Sequence, residues 1–189
     1  MKEIEIKAHI DSATLTQLPS RAAALSFAET KRLKETDIYF NGNDHSFFKT
    51  DEALRLRQTV NLDGDGADTY ITYKGPKLDK LTQSRDEIET SIGDFDSMRS
   101  ILKKLGYPEV LTVEKTRRYF RARDITLCLD EVSELGCFLE LETLIDTPSE
   151  PEKDAAIERL MNSLDQLGIS KEQLTRKSYL ELRMESLTS

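Results

Sequence analysis

The chain has 189 residues, of which 38% are hydrophobic and 33% are charged, and its formal net charge is -8. This length fits one domain with a full core, and the acidity argues against a general surface for nucleic acid or anionic membrane. The sequence contains no apolar signal segment and no run long enough to span a bilayer, so we expect a cytoplasmic protein. Its two cysteines, Cys128 and Cys137, fit neither a disulfide framework nor a zinc site.

The first predicted element is a strand over residues 1–10, M-K-E-I-E-I-K-A-H-I, in which charged and apolar residues alternate. Because side chains alternate between the two faces of a strand, Glu3, Glu5 and Lys7 share one face and the isoleucines share the other. Taken alone, this segment would be an ordinary half-buried strand with its charges in water. The same alternation of charged and apolar residues returns in later strands. The direction in which the charged residues point therefore has to be decided for the whole sheet.

The remaining elements follow from periodicity, turn residues and helix caps. A helix capped by Asp11 or Ser12 runs to about residue 28, contains Pro19, and is a candidate lid or plug. Strands are predicted at 28–41, 53–61, 68–75 and 84–90, followed by a helix at 94–106. Three more strands are predicted at 110–123, 125–132 and 136–145, and helices at about 152–167 and 170–186 complete the chain.

The turn between the third and fourth predicted strands resembles the start of a calcium-binding loop. Asn61, Asp63, Asp65 and Gly66 match the first positions of an EF-hand loop. However, the position that requires a bidentate glutamate holds Thr72, and the flanking segments are strands rather than helices. We therefore predict a glycine-rich hairpin turn rather than a calcium site.

The charged faces of the strands decide the predicted architecture. Eight strands joined mostly by hairpins are enough to close an antiparallel barrel, which removes exposed sheet edges. The helices carry apolar stripes, and a closed barrel offers them only its outer surface. We therefore predict that apolar residues face outward under the helices and that charged residues line the interior. The interior set comprises Glu3, Glu5, Lys7, Arg55, Arg57, Lys74, Arg85, Glu87, Glu89, Lys115, Arg117, Asp130, Glu140 and Glu142.

An interior that holds so many charges requires counterions, because a buried unpaired charge is costly. Carboxylates hold hard divalent cations through their oxygens, and lysine and arginine side chains bind phosphates. A chain of phosphates bridged by Mg²⁺ would satisfy both kinds of side chain together. The charge pattern therefore predicts a site for a polyphosphate and a divalent metal ion.

Several short motifs follow one another in a fixed order. They are E-x-E-x-K at 3–7, R-x-R at 55–57, Lys74, E-x-E at 87–89, K-x-R at 115–117 and L-D-E-V-S-E-L-G-C-F-L-E-L-E at 129–142. Together they resemble the CYTH superfamily of triphosphate tunnel metalloenzymes, and the ending T-R-K-S-Y-L-E-L at 175–182 resembles its class IV adenylate cyclase-like branch, which has thiamine triphosphatase relatives. The resemblance implies a single α+β CYTH-like domain over 1–189. In it, an eight-stranded antiparallel closed β-barrel is built by about 1–145, and helices pack outside, including those at about 152–186.

The resemblance also implies roles for individual residues. The metal ligands would be Glu3, Glu5, Glu140 and Glu142, with Asp130 as a further acidic group and with Glu87 and Glu89 either binding metal or orienting arginines. The triphosphate would be bound by Lys7, Arg55, Arg57, Lys74, Lys115 and Arg117, joined by Arg85. The catalytic candidates are Lys7, Lys115 and Asp130, and Lys7 is either a general base or only a phosphate ligand. His9 and His45 have no nucleophile paired with them and are expected to be structural or surface residues.

Two reactions fit such a tunnel, and a third possibility is binding without turnover. A class IV adenylate cyclase-like enzyme would convert ATP to cAMP and pyrophosphate with Mg²⁺ or Mn²⁺, and the ending S-Y-L-E-L favours this branch. A triphosphatase would hydrolyse thiamine triphosphate, inorganic triphosphate or a nucleoside triphosphate. A non-catalytic module would hold a nucleotide or polyphosphate, but it would not need a metal-binding carboxylate cluster. The expected partner is a small-molecule triphosphate, without nucleic acid or membrane, and a homodimer is left open.

Overall fold

A computed structural model describes residues 2–77, 85–146 and 149–188. Its strands are β1 Lys2–Ile10, β2 Ala28–Phe40, β3 Ala53–Asn61, β4 Ala67–Lys74, β5 Glu87–Ile92, β6 Glu109–Ala122, β7 Ile125–Val132, β8 Gly136–Ile145 and β9 Leu174–Thr175. Its helices are α1 Ser12–Ala24, α2 Phe47–Thr50, α3 Phe95–Lys104, α4 Glu150–Gln166 and α5 Tyr179–Ser186. None of these described helices is both long and apolar enough to cross a bilayer. All eight predicted strands are present, although Met1 and Ser84 at the ends of two of them lie outside the described residues.

The strands form one antiparallel sheet in the order β5-β4-β3-β2-β6-β7-β8-β1-β9. Most neighbours follow one another in the chain, but β1 pairs with β8, and β2 pairs with β6 as well as with β3. The edges are β5 and β9, and no ladder joins them among the described residues. The α+β class is confirmed. The sheet has nine strands rather than eight, and its closure into a barrel stays a prediction.

Helices α1, α3 and α4 cover one, apolar face of the sheet, whereas the charged residues lie on the other face together with an apolar cluster that packs against α5. Ile4 and Ile6 of β1 lie in one buried apolar cluster with Leu18 of α1 and Leu160 of α4. A second cluster joins β2 and β3 to α3. Because neighbouring residues of a strand point to opposite faces, the charged residues between the isoleucines point away from these helices. Apolar strand residues thus pack under α1, α3 and α4 as predicted, whereas their outward direction depends on closure of the sheet and stays a prediction.

The prediction of a single helix over 170–186 is wrong, because this segment is divided into three short elements. Ser170 and Gln173 form a capping box around a single 3₁₀ turn. The chain then forms β9, which pairs with β1, and a second capping box between Ser178 and Glu181 begins α5. Two successive capping boxes mark two helix starts. The sequence therefore contained the signal for this division.

Helix α1 is shorter than predicted, and its position differs from that of a lid. Asp11 caps it, since the carboxylate accepts a hydrogen bond from the backbone N–H of Thr14 at 2.6 Å. The helix ends at Ala24, and Ser26 adopts a left-handed φ of 66° before β2 begins. Because α1 packs on the outer apolar face of the sheet, the prediction that it is a lid or plug is wrong.

The connection between β3 and β4 is the predicted hairpin turn. The backbone N–H of Asn61 donates a hydrogen bond to the carbonyl of Gly66 at 3.0 Å. The carboxylate of Asp63, which the calcium alternative would use as a ligand, accepts hydrogen bonds from the guanidinium of Arg32 at 2.9 and 2.7 Å. This aspartate therefore stabilises the turn against β2.

Candidate functional site

The charged face of the sheet surrounds a cavity of about 440 Å³, which we call the charged cavity. Side chains of α5 and of the segment around α2 complete its lining. All of the predicted interior residues except Asp130 line it, namely Glu3, Glu5, Lys7, Arg55, Arg57, Lys74, Arg85, Glu87, Glu89, Lys115, Arg117, Glu140 and Glu142. Asp130 lies behind this lining, fully buried, and accepts a hydrogen bond from Arg117. The structure thus brings together residues that are far apart in the sequence.

The pairing of β1 with β8 places charged residues side by side. Glu5 lies opposite Glu142, and Lys7 lies opposite Glu140. The ammonium nitrogen of Lys7 is 3.1 Å from Glu140 and 3.5 Å from Glu5. Burial lowers the pKa of Lys7, but attraction to these two carboxylates outweighs burial, and the net result is a raised pKa. Of the two roles predicted for Lys7, that of a phosphate-binding cation therefore fits this geometry better than that of a general base.

Two cations of the opposite wall are held by carboxylates that the sequence analysis missed. Arg57 donates to both oxygens of Asp37, at 2.6 and 2.7 Å, and its third nitrogen is 3.1 Å from Glu35. Lys115 is 2.8 Å from Glu35 and 3.0 Å from Asp37. Burial raises the pKa of each carboxyl, but the two cations outweigh it and hold both values well below the usual range. The sequence feature that could have identified Glu35 and Asp37 is the alternation K-E-T-D-I-Y in β2, which places both acids on one face of the strand.

Three other predicted cations also have partners. Arg55 donates to Glu89 at 3.4 Å, and Lys74 is 2.5 Å from Glu87. These contacts favour the alternative in which Glu87 and Glu89 orient cations over the one in which they bind metal. Arg85 donates to a backbone carbonyl just after α2, at 3.4 Å.

Arg117 lies between two buried carboxylates. Its guanidinium donates to both oxygens of Asp130, one at 2.6 Å, and also contacts Glu140. Burial raises the pKa of Glu140, but Arg117 and then Lys7 outweigh it, so this pKa is well below the usual range. Both acids were predicted to bind metal. Because both accept hydrogen bonds from Arg117 here, their role as metal ligands stays a prediction.

Glu3, Glu5 and Glu142, which we call the acidic cluster, differ from the other carboxylates of the site. Burial raises the pKa of Glu3 well above its usual value despite the nearby Lys74, and repulsion from the other two carboxylates adds to the increase. Burial raises the pKa of Glu142 to about 7, with Glu5 adding to the effect and Arg117 opposing it. One buried oxygen of Glu5 has no hydrogen-bond partner among the described residues.

This donor set suits a hard divalent cation such as Mg²⁺ or Mn²⁺, because such ions prefer carboxylate oxygens. An ion would reduce the repulsion within the acidic cluster and give the buried Glu5 oxygen a closer partner than the ammonium of Lys7, which lies 3.5 Å away. Within the described residues, no three His, Cys, Asp or Glu side chains already converge on one ion position. Binding would therefore require the three carboxylates to rotate toward a common point.

The acidic cluster predicts how stability depends on pH without divalent ions. A carboxyl whose pKa is raised by folding contributes stability at low pH, and this contribution is lost as the pH rises through the folded-state pKa. For Glu142 this window lies between its ordinary value of 4.5 and about 7. We expect the midpoint of thermal unfolding in EDTA to fall as the pH rises from about 5 to about 8. Circular dichroism would measure it, and Glu142→Gln should reduce the decrease. A midpoint that rises over this range would contradict the assignment.

The C-terminal helix α5, rather than α1, contributes to the cavity, and its first residue, Tyr179, was also missed. The Tyr179 hydroxyl donates to Asp130 at 2.6 Å. Its ring centroid is 4.2 Å from the ammonium of Lys7 and 5.6 Å from that of Lys115. Such cation–π contacts hold the two cations in place. The residue lies within the S-Y-L-E-L ending, which the sequence analysis used only as a family motif.

A model of the CYTH domain matches residues 1–179 of the chain. The chain belongs to the CYTH family. Its membership confirms the resemblance inferred from the motifs, and the matched segment includes every residue described above as lining the charged cavity except those after Tyr179.

Individual similar proteins match most of the chain. A protein of Methanocaldococcus jannaschii named "Putative adenylate cyclase" is 45% identical over 183 residues, which is 97% of this chain and 99% of the relative. The adenylate cyclase CyaB of Aeromonas hydrophila is 29% identical over 160 residues, which is 82% of this chain and 75% of CyaB. The solved structure of the PH1819 protein of Pyrococcus horikoshii has a TM-score of 0.87 and 35% identity, and the match covers 97% of this chain and 99% of that one.

Proposed function

We propose that this CYTH chain is a metal-dependent enzyme that converts ATP to cAMP and pyrophosphate in the charged cavity. The observation that carries the proposal is the arrangement of charge in one cavity. Cations cover one part of the wall, and at β1 and β8 the acidic cluster holds carboxylates that repel one another. A divalent ion supplies the positive charge that the acidic cluster lacks, and a triphosphate bound to that ion offers negative oxygens to the nearby cations. The 45% identity to a protein named "Putative adenylate cyclase" supports this reaction over hydrolysis.

The charged residues of the cavity would have two roles, according to the sign of their charge. Lysine and arginine side chains would bind the phosphate oxygens, and Arg57 and Arg117 would offer planar guanidinium groups suited to two oxygens at once. The acidic cluster would hold Mg²⁺ or Mn²⁺, and such an ion, when bound, neutralises phosphate charge. The bound triphosphate would have to place the ribose 3′-oxygen in line with the α-phosphorus. As the new O–P bond forms, the bond to pyrophosphate would break and the hydroxyl proton would pass to water.

An apolar part of the lining supports an organic triphosphate rather than an inorganic one. Phe48 of α2, Leu144 of β8 and Leu180 of α5 all line the charged cavity. Phe48 is 40% exposed and Leu144 is 58% exposed, so both are available to a ligand. A nucleobase has an aromatic face that packs on such side chains, whereas tripolyphosphate has no apolar surface.

A product assay tests the proposed function. The chain would be incubated with Mg²⁺ and, in separate reactions, with ATP, thiamine triphosphate and tripolyphosphate, and the products would be separated by chromatography. We expect cAMP and pyrophosphate from ATP, with no product when EDTA is added. Orthophosphate as the main product would support the triphosphatase alternative instead. Binding of the triphosphates without turnover would support the non-catalytic module.

A further inference from the structure

We propose that Glu35 and Asp37 of β2 are positioning residues that hold Arg57 and Lys115 in place and limit how tightly the charged cavity binds phosphate. The inference rests on the proposed function, because it assumes that this cavity binds a triphosphate. It assigns a role to two carboxylates that cannot themselves be reached from the cavity.

The position of the two carboxylates keeps them out of the charged cavity. Glu35 and Asp37 are both 0% exposed, and neither lines the charged cavity. Glu35 lines a second cavity of about 390 Å³ on the side of the β3–β4 turn, which shares Arg57, Glu89 and Tyr119 with the charged cavity, and Asp37 lines neither. These acids therefore act on a phosphate in the charged cavity through the cations that they contact and through their charge.

The contacts form a closed network of two cations and two anions. The sheet register places Asp37 opposite Arg57 and Glu35 opposite Lys115, and each carboxylate also contacts the cation of the other pair. The network has no net charge when all four groups are ionised. A phosphate that approaches Arg57 and Lys115 therefore meets cations whose attraction is already partly cancelled in a medium of low dielectric.

The two carboxylates hold their cations in different ways. Asp37 accepts two hydrogen bonds from Arg57 and fixes the plane of the guanidinium. One oxygen of Glu35 accepts a hydrogen bond from the Tyr119 hydroxyl at 2.6 Å. Its other oxygen lies within ion-pair distance of both cations but has no aligned hydrogen bond. Asp37 therefore orients Arg57, whereas Glu35 acts mainly through its charge.

Because Glu35 acts mainly through its charge, a substitution can remove that charge with little change in the shape of the side chain. In Glu35→Gln one negative charge behind the cations is lost, and the hydrogen bond from Tyr119 is kept when the amide nitrogen takes the place of the oxygen that faces Arg57 and Lys115. In Asp37→Asn the charge is lost together with the paired hydrogen bonds that orient Arg57. Both variants should bind phosphate more tightly, and the second should also lose turnover because Arg57 is free to rotate.

Calorimetric titration with tripolyphosphate in EDTA measures the binding effect without metal or turnover. We expect both variants to bind roughly tenfold more tightly than the unmodified chain. In the ATP assay, Asp37→Asn should show a lower KM together with a lower kcat, a combination that general loss of structure would not produce. The control is Glu29→Gln, because Glu29 lies on the same strand but binds Arg118, and both side chains are about one-third exposed. It removes the same charge and should leave binding unchanged.

Thermal unfolding would establish which variants are folded, and Glu35→Gln decides the outcome if Asp37→Asn does not fold. Unchanged or weaker binding of tripolyphosphate by folded Glu35→Gln overturns this inference but not the proposed function. Equal tightening by Glu29→Gln also overturns it, because net charge would then explain the effect. If the unmodified chain binds no tripolyphosphate in EDTA, this inference fails, and if it also binds none with Mg²⁺, the proposed function fails with it.

Discussion

Replacing Arg117 by leucine is expected to lower the free energy of unfolding by about 3–5 kcal/mol. Arg117 is the cation shared by Asp130 and Glu140, and both carboxylates are buried. Without the guanidinium, two negative charges would lie close together in the interior with fewer donors. For a chain of this size the midpoint of thermal unfolding should fall by roughly 6–20 °C. Circular dichroism at about pH 7, where both acids are ionised in the unfolded chain, would measure the change.

The next residue of β6 supplies a matched control. Arg118 also binds a carboxylate with two hydrogen bonds, both at 2.8 Å, but it and its partner Glu29 are each about one-third exposed. Exposed ion pairs of this kind contribute about 0–1 kcal/mol. Arg118→Leu should therefore cost far less than Arg117→Leu. Equal losses would show that burial of the ion pair does not determine its contribution.

Glu5→Gln is expected to lower metal-dependent turnover of ATP by at least about a hundredfold, since even the partners of metal ligands affect activity by 10–100-fold. Glutamine keeps the size of the side chain but removes a charged oxygen donor from the acidic cluster. Binding of tripolyphosphate in EDTA should persist or tighten, because the cations of the cavity are kept and Lys7 loses one neighbouring carboxylate. Initial rates over a range of Mg²⁺ concentrations, together with calorimetry, would separate the two effects.

Glu114→Gln is the control for this substitution, because Glu114 lies on β6 and is exposed, away from the acidic cluster. Its turnover should match that of the unmodified chain. Full metal-dependent activity of folded Glu5→Gln would show that the acidic cluster is not the metal site. A loss of tripolyphosphate binding in that variant would instead indicate that Glu5 supports the cavity structurally.

The alternation of charged and apolar residues was enough to predict the strands and the direction in which their charges point. In β1 the isoleucines Ile4 and Ile6 pack under α1 and α4, as the apolar stripes of these helices required. Alternation is a local property, and burial of the apolar face leaves only one way to orient each strand. The lining of the charged cavity followed from this orientation, together with the family motifs.

The partners of individual charges could not be predicted in the same way. Asp37 lies opposite Arg57, and Glu35 lies opposite Lys115, only in the observed register. Shifting a strand by two residues keeps every side chain on its face, so alternation alone does not determine which residues of neighbouring strands lie opposite each other. Glu35 and Asp37 therefore resembled ordinary polar residues of a long strand. The position of Tyr179 was missed for a similar reason, because it depends on β9 pairing with β1.

The place of β1 in the sheet also determines when the site can form during synthesis. This strand leaves the ribosome before every other described strand of the sheet, yet its sheet partners β8 and β9 come late in the chain. Until β8 emerges, Ile4 and Ile6 have no sheet in which to be buried, and Glu5 has no Glu142 beside it. Pairings between such distant segments slow folding and leave apolar segments open to aggregation meanwhile. Strand β1 is therefore the part of this chain that we expect to depend most on chaperones.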